Sequence, residues 1–133
     1  MKKIRSEAES RSMGNKKILV IEDQKSIVEL LKLNLTINGY DVIIARDGEE
    51  GVKKVFDKYP DLIILDIKLP KSDGFQVCQQ LKNNIQTKHI PIIFLSAFTQ
   101  KTIVEKGKEV GGDFFVQKPF DAIELIKIIK KLL

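Results

Sequence analysis

Cysteine and histidine occur once each in this 133-residue sequence, as Cys78 and His89. A single cysteine excludes an internal disulfide and agrees with a reducing compartment. His89 has no cysteine, second histidine or acid at ligand spacing, so it reads as a solvated loop residue, and Cys78 as a small core or boundary residue on a helix. Long apolar runs are missing too. Leu62 to Leu65 and Ile92 to Leu95 are far too short to cross a bilayer. No apolar stretch follows the charged, Ser-rich start, so nothing reads as a secretory signal. These absences point to a cytoplasmic chain with no membrane segment. What is present, 43% hydrophobic and 31% charged residues, suits one soluble domain with a real core.

Charge is unevenly spread. The formal net charge is +5, and residues 1–17 alone hold six basic and two acidic side chains. The remainder is close to neutral, so the basic balance is no sign of a nucleic-acid surface. Residues 1–15 show no apolar periodicity and read as a disordered basic leader, with one domain over 16–133.

From Lys16 onward, apolar runs alternate with amphipathic stretches. Strands are expected at Lys17–Ile21, Asp41–Ala45, Asp61–Asp66, Pro91–Ser96 and Asp113–Gln117. Between and after them, helices are expected over Ser26–Asn38, Asp47–Tyr59, Asp73–Asn83, Lys101–Val110 and Asp121–Leu132. In the first helix, Ile27, Leu30, Leu31 and Leu35 are taken as the buried face. Asp47 and Asp73 are placed as N-caps, with Gly39 and Pro60 as stops. Apolar strands joined by crossover helices form a parallel sheet covered on both faces. The expected fold is a doubly wound, flavodoxin-like α/β sheet of five strands in the order 2-1-3-4-5.

In such a sheet, ligands sit at the carboxyl ends of the strands. Glu22 and Asp23 follow the first strand, Asp66 ends the third, Ser96 ends the fourth and Lys118 follows the fifth. Three carboxylates in one crevice favour a hard cation with oxygen ligands, and Mg²⁺ suits them. A carboxylate beside that ion can attack phosphorus. An ammonium and a hydroxyl can then stabilise the phosphoryl oxygens. No general base stands ready to activate an organic substrate, so the chain does not read as an enzyme.

The segments Ile-Leu-Val-Ile-Glu-Asp (18–23), Asp-Leu-Ile-Ile-Leu-Asp-Ile-Lys-Leu-Pro (61–70), Asp-Gly-Phe (73–75), Pro-Ile-Ile-Phe-Leu-Ser-Ala (91–97) and Lys-Pro-Phe (118–120) occur in this order. In them the chain resembles the receiver domain of bacterial two-component response regulators, similar to the single-domain chemotaxis type. The resemblance implies that Asp66 is the phosphoacceptor. It implies that Mg²⁺ is held by Asp23, by Glu22 acting through water, by Asp66 and by the backbone carbonyl of Lys68. Ser96 and Lys118 would then contact the phosphoryl group, with a cis bond between Lys118 and Pro119. Phe115 would be the switch aromatic, lacking the hydroxyl of the common tyrosine. Lys68 stands at a variable place thought to tune phosphoryl lifetime. The implied donor is a sensor histidine kinase or phosphotransfer protein. The implied output is a partner protein met by the face of the fourth helix, fifth strand and fifth helix. The chain would be a monomer or a phosphorylation-linked homodimer, and would bind no nucleic acid directly.

Three rivals are weaker. A haloacid-dehalogenase-type phosphatase needs an acid two residues after its nucleophile, where Lys68 stands. A flavodoxin-like carrier needs a phosphate-cradling loop after the first strand, where Glu22 and Asp23 stand. A receiver reduced to a docking module would not need all five site residues. No output module is readable, so the chain reads as a stand-alone regulator acting through protein contacts or as a piece of a longer protein.

Overall fold

The computed structural model describes residues 15–133. The basic leader expected over 1–15 lies, apart from Asn15, outside the described residues. Five strands and five helices alternate along the chain: β1 Lys17–Ile21, α1 Lys25–Ile37, β2 Asp41–Ala45, α2 Gly48–Lys58, β3 Leu62–Asp66, α3 Gly74–Lys82, β4 Ile92–Ser96, α4 Lys101–Glu109, β5 Phe114–Gln117 and α5 Ala122–Leu132. All strand pairings are parallel, in the order β2-β1-β3-β4-β5. Each expected element is present, with ends moved by a residue or two.

Side chains alternate across the strands, and both faces are covered. Leu19, Ile21, Ile63, Leu65, Ile92 and Phe94 point to one face, where they meet Val55 of α2 and Val77, Cys78 and Leu81 of α3. Ile18, Val20, Leu62, Ile64, Ile93 and Leu95 point to the other, where they meet Leu31 and Leu35 of α1 and Leu125 and Ile129 of α5. Each such side chain taken from water contributes about 1.5–3 kcal/mol. The central strands β3 and β4 are buried along their whole length.

Local signals end the elements where expected. Asp47 Oδ1 accepts from the Glu50 N–H at 2.7 Å, and Asp73 Oδ1 accepts from the Gln76 N–H at 2.8 Å. Gly39 takes a left-handed φ of +89°, closing the end of α1. One assignment is corrected. Val28, Leu31 and Leu35 form the buried stripe of α1, while Leu30 is 45% exposed. Positions 28, 31 and 35 share one face at the helical repeat, and Leu30 lies about 100° round from Leu31. Cys78 is fully buried, and burial pushes its thiol up to about 12, so it is inert at neutral pH. His89 is exposed, as expected.

The loop after β3 is held tightly. The Gly74 N–H donates to the Ile67 carbonyl at 2.6 Å, folding residues 67–74 back on the strand end. A Cβ on Gly74 would stand 2.4 Å from the Asp66 carbonyl oxygen and 2.9 Å from Ile67 Cα, both backbone atoms that cannot move aside cheaply. Gly74→Ala is therefore expected to cost about 1–3 kcal/mol of stability by overpacking, read as a lowered midpoint in urea unfolding.

Candidate functional site

All five side chains expected at the site project from the carboxyl edge of the sheet. Glu22 and Asp23 leave the end of β1, Asp66 is the last residue of β3, Ser96 is the last of β4, and Lys118 follows β5. The parallel registers bring these ends level. Lys118 is tied to its neighbour strand by its own N–H, which donates to the Ser96 carbonyl at 2.7 Å, and its bond to Pro119 is cis.

The ammonium of Lys118 reaches across the end of β4. Its Nζ lies 3.0 Å from Asp66 Oδ2 and 2.9 Å from Glu22 Oε1. The first contact is a well-formed hydrogen bond. The second is close, but Glu22 Oε1 still has no well-aligned hydrogen-bond donor although it is buried. The close approach therefore stands as an ion pair and not as a satisfied hydrogen bond. Glu22 Oε2 accepts from the Gln24 N–H at 3.1 Å, and Asp66 Oδ1 from the Lys68 N–H at 3.3 Å.

Burial governs the charges. Desolvation raises the Glu22 carboxyl above its ordinary value, outweighing Lys118 and the Gln24 N–H, and the nearby Asp66 charge adds to the rise. Burial alone would pull the Lys118 ammonium down, but the two carboxylates of Glu22 and Asp66 beside it outweigh burial and hold it above its ordinary value. The ammonium stays charged at neutral pH.

One cation does not balance three acids. Carboxylate oxygens of Glu22, Asp23 and Asp66 all lie within 4.8 Å of one another. Like charges at about 4 Å repel by about 4 kcal/mol at the effective dielectric near a protein surface. Buried Glu22 Oε1 lacks a donor, and exposed Asp23 opens the group to water. An oxygen-only donor set, an uncompensated negative charge and an open side fit a hard divalent cation that keeps several waters.

Asp23 and Asp66 border a shallow cleft of about 350 Å³, lined also by Gln24, Lys68, Ser96, Ala97, Phe98 and Lys118. A depression of about 410 Å³ between α2 and α3 holds none of the site residues. Ser96 is buried, and its Oγ accepts from the Phe98 N–H at 2.9 Å, leaving the hydroxyl proton free for another acceptor. Phe115 stands apart from the cleft. It is partly buried beside Phe94, with ring centroids 6.3 Å apart, beneath α4. Gln24 and Phe98 were not singled out from the sequence. Their signal was available, since each directly continues a loop leaving a strand end that bears a site residue.

The family model described as response regulator receiver domain matches residues 18–130. The alkaline phosphatase synthesis transcriptional regulatory protein PhoP of Bacillus subtilis is 47% identical over 119 residues, which is 90% of this chain and 49% of that protein. The DNA-binding dual master transcriptional regulator RpaA of Synechocystis is 41% identical over 117 residues, covering 88% of this chain and 48% of that one. The chain thus spans about half the length of the curated relatives it matches. Among solved structures, the chemotaxis protein CheY4 of Vibrio cholerae superposes with a TM-score of 0.85 at 31% identity, covering 90% of this chain and 99% of that one. A putative response regulator from Chloroflexus aurantiacus gives the same score and identity, covering 89% and 97%. Among the described residues, no helix is long and apolar enough to cross a membrane.

If the acidic cluster holds a divalent cation, added Mg²⁺ stabilises the folded protein by mass action. At about a hundredfold excess over its dissociation constant the gain is about 2.7 kcal/mol. Thermal unfolding with and without Mg²⁺ is expected to show this rise for the wild type and little of it for Asp23→Asn. An equal rise in both proteins would place the ion elsewhere.

Proposed function

Because the chain belongs to the response regulator receiver domain family, we propose that it is a phosphorylation switch that accepts a phosphoryl group on Asp66. The observation that carries this reading is the Lys118 ammonium, held between buried Glu22 and Asp66 at the mouth of an open, acidic cleft. The unit that acts is the receiver over 16–133.

The donor is the phosphohistidine of a sensor histidine kinase or phosphotransfer protein. A carboxylate oxygen of Asp66 attacks the phosphorus. The new O–P bond forms as the donor's N–P bond breaks, and the electron pair of that bond stays on the leaving imidazole. Glu22, Asp23, Asp66 and the Lys68 carbonyl would hold Mg²⁺, which supplies positive charge against the phosphoryl oxygens when bound. Lys118 gives a second, fixed positive charge. In the resting structure the Phe98 N–H occupies only a lone pair of Ser96 Oγ, so the hydroxyl proton is free to be donated to a phosphoryl oxygen. The chain catalyses only its own phosphoryl uptake and slow loss, and is otherwise no enzyme.

The output follows from charge. A phosphoryl group brings about −1.5 to −2 charges to Asp66. It draws Ser96 and Lys118 inward, and Phe115 turns into the space that the Ser96 loop vacates. The face of α4, β5 and α5 is thereby remodelled for a partner protein. α4 suits a moving part because Gly107 is its single buried residue. The protein works in the cytoplasm, as a monomer or a phosphorylation-linked homodimer, without binding nucleic acid through this domain. A receiver used only for docking is disfavoured, since it would have no use for the assembled acids, lysine and hydroxyl.

Incubation with acetyl phosphate and Mg²⁺ is expected to add one phosphoryl group to the wild-type protein and none to Asp66→Asn, read by intact-mass spectrometry. Equal labelling of both proteins would overturn the acceptor assignment.

A further inference from the structure

Two side chains at the cleft mouth have no part in the phosphoryl transfer described above. Lys68 and Phe98 come from different loops, the first after β3 and the second after β4. The Lys68 ammonium lies over the Phe98 ring, 5.2 Å from its centroid. A cation over an aromatic face is attracted by the ring quadrupole. Phe98 is 41% exposed, so the contact does not come from burial in the core. Both residues line the cleft that contains Asp66.

Each half of this contact is tied by its backbone to a reacting side chain. The Lys68 N–H donates to Asp66 Oδ1 at 3.3 Å, and the Phe98 N–H donates to Ser96 Oγ at 2.9 Å. The loop bearing Phe98 then enters α4 at Gln100, whose side chain makes no capping hydrogen bond. The first turn of α4 therefore lacks a side-chain cap.

We propose that Lys68 and Phe98 form a latch across the cleft that holds the loop before α4 in its resting position, and that a phosphoryl group on Asp66 opens it. The proposal rests on the acceptor reading above. A tetrahedral anion carrying nearly two charges attracts the Lys68 ammonium far more strongly than a ring quadrupole does. Lys68 leaves the ring for the phosphoryl oxygens as Ser96 turns toward the same group. Phe98 loses its side-chain hold and its backbone partner together. The phosphoryl group thus frees the loop before α4 through two residues, Lys68 and Ser96, and neither signal must cross the core.

The latch is tested first in the resting protein, without Mg²⁺ or phosphoryl donor. Amide exchange over residues 98–103, followed by NMR, is expected to rise about two- to fivefold in Lys68→Met and Phe98→Leu. The double variant is expected to match either single one, and Lys68→Arg to stay near wild type. Unchanged exchange in both single variants, or additive effects in the double, would overturn the latch. Beryllofluoride with Mg²⁺ then tests the opening. Phe98→Leu is expected to bind it about two- to fivefold more tightly, because Lys68 no longer leaves a ring. Lys68→Met is expected to bind it more weakly, and in that background Phe98→Leu should have no effect. A gain from Phe98→Leu that persists without Lys68 would overturn the opening step. A wild-type protein that takes no beryllofluoride would overturn the acceptor reading and the opening with it, and the exchange measurement would judge the resting latch alone.

Discussion

One ammonium shared by two buried carboxylates is the constraint on which the site depends. Lys118 sits 2.9 Å from Glu22 and 3.0 Å from Asp66, and all three are largely removed from water. Buried charges persist only where they are paired, and taking one partner away leaves the other uncompensated. The pairing is non-local. It needs the ends of β1, β3 and β5 at one height, with β4 lying between β3 and β5. A parallel sheet with this order and register meets the requirement, and the Lys118 N–H on the Ser96 carbonyl holds the last strand in place.

The charge left over gives the site its chemistry. Lys118 answers part of the negative charge of Glu22, Asp23 and Asp66, and the remainder suits a hard divalent cation. Burial keeps the Glu22 carboxyl above its ordinary value by favouring the neutral acid, and the neighbouring Asp66 charge adds to the rise. A fully balanced cluster would be an inert structural ion pair. This one is held off balance by burial on one side and exposed Asp23 on the other.

Rigidity and looseness are divided between the two sides of the cleft. The loop after β3 is fixed by Gly74, where no side chain fits against the Asp66 and Ile67 backbone. The loop after β4 is held by polar and cation–ring contacts and leads into α4, which buries only Gly107. A Cβ on Gly107 would lie 3.4 Å from Phe115 and Phe94, so the helix rests directly on the two rings. Displacing such a helix loses little burial. The loop beside Asp66 is held by close backbone packing, and the loop leading into α4 is held more loosely.

Much of this was legible in the residues alone. Short apolar runs rich in β-branched residues, such as Ile-Leu-Val-Ile and Leu-Ile-Ile-Leu, read as buried strands, and Asp47 and Asp73 mark helix starts through their own side-chain bonds. Acids, hydroxyl and lysine at strand ends already implied one site, because parallel strands share a carboxyl edge. Tertiary structure alone decided the rest. It chose Val28 over Leu30 for the core, since the rotation of α1 depends on where the sheet lies beneath it. It made Gly107 the seat of α4, which no local pattern announces. It also set Lys68 over Phe98, thirty positions along the chain, because that distance is closed only by pairing β3 with β4. Periodicity and side-chain chemistry act along the chain and can be read there, whereas contacts between loops exist only once the sheet has brought its strand ends together.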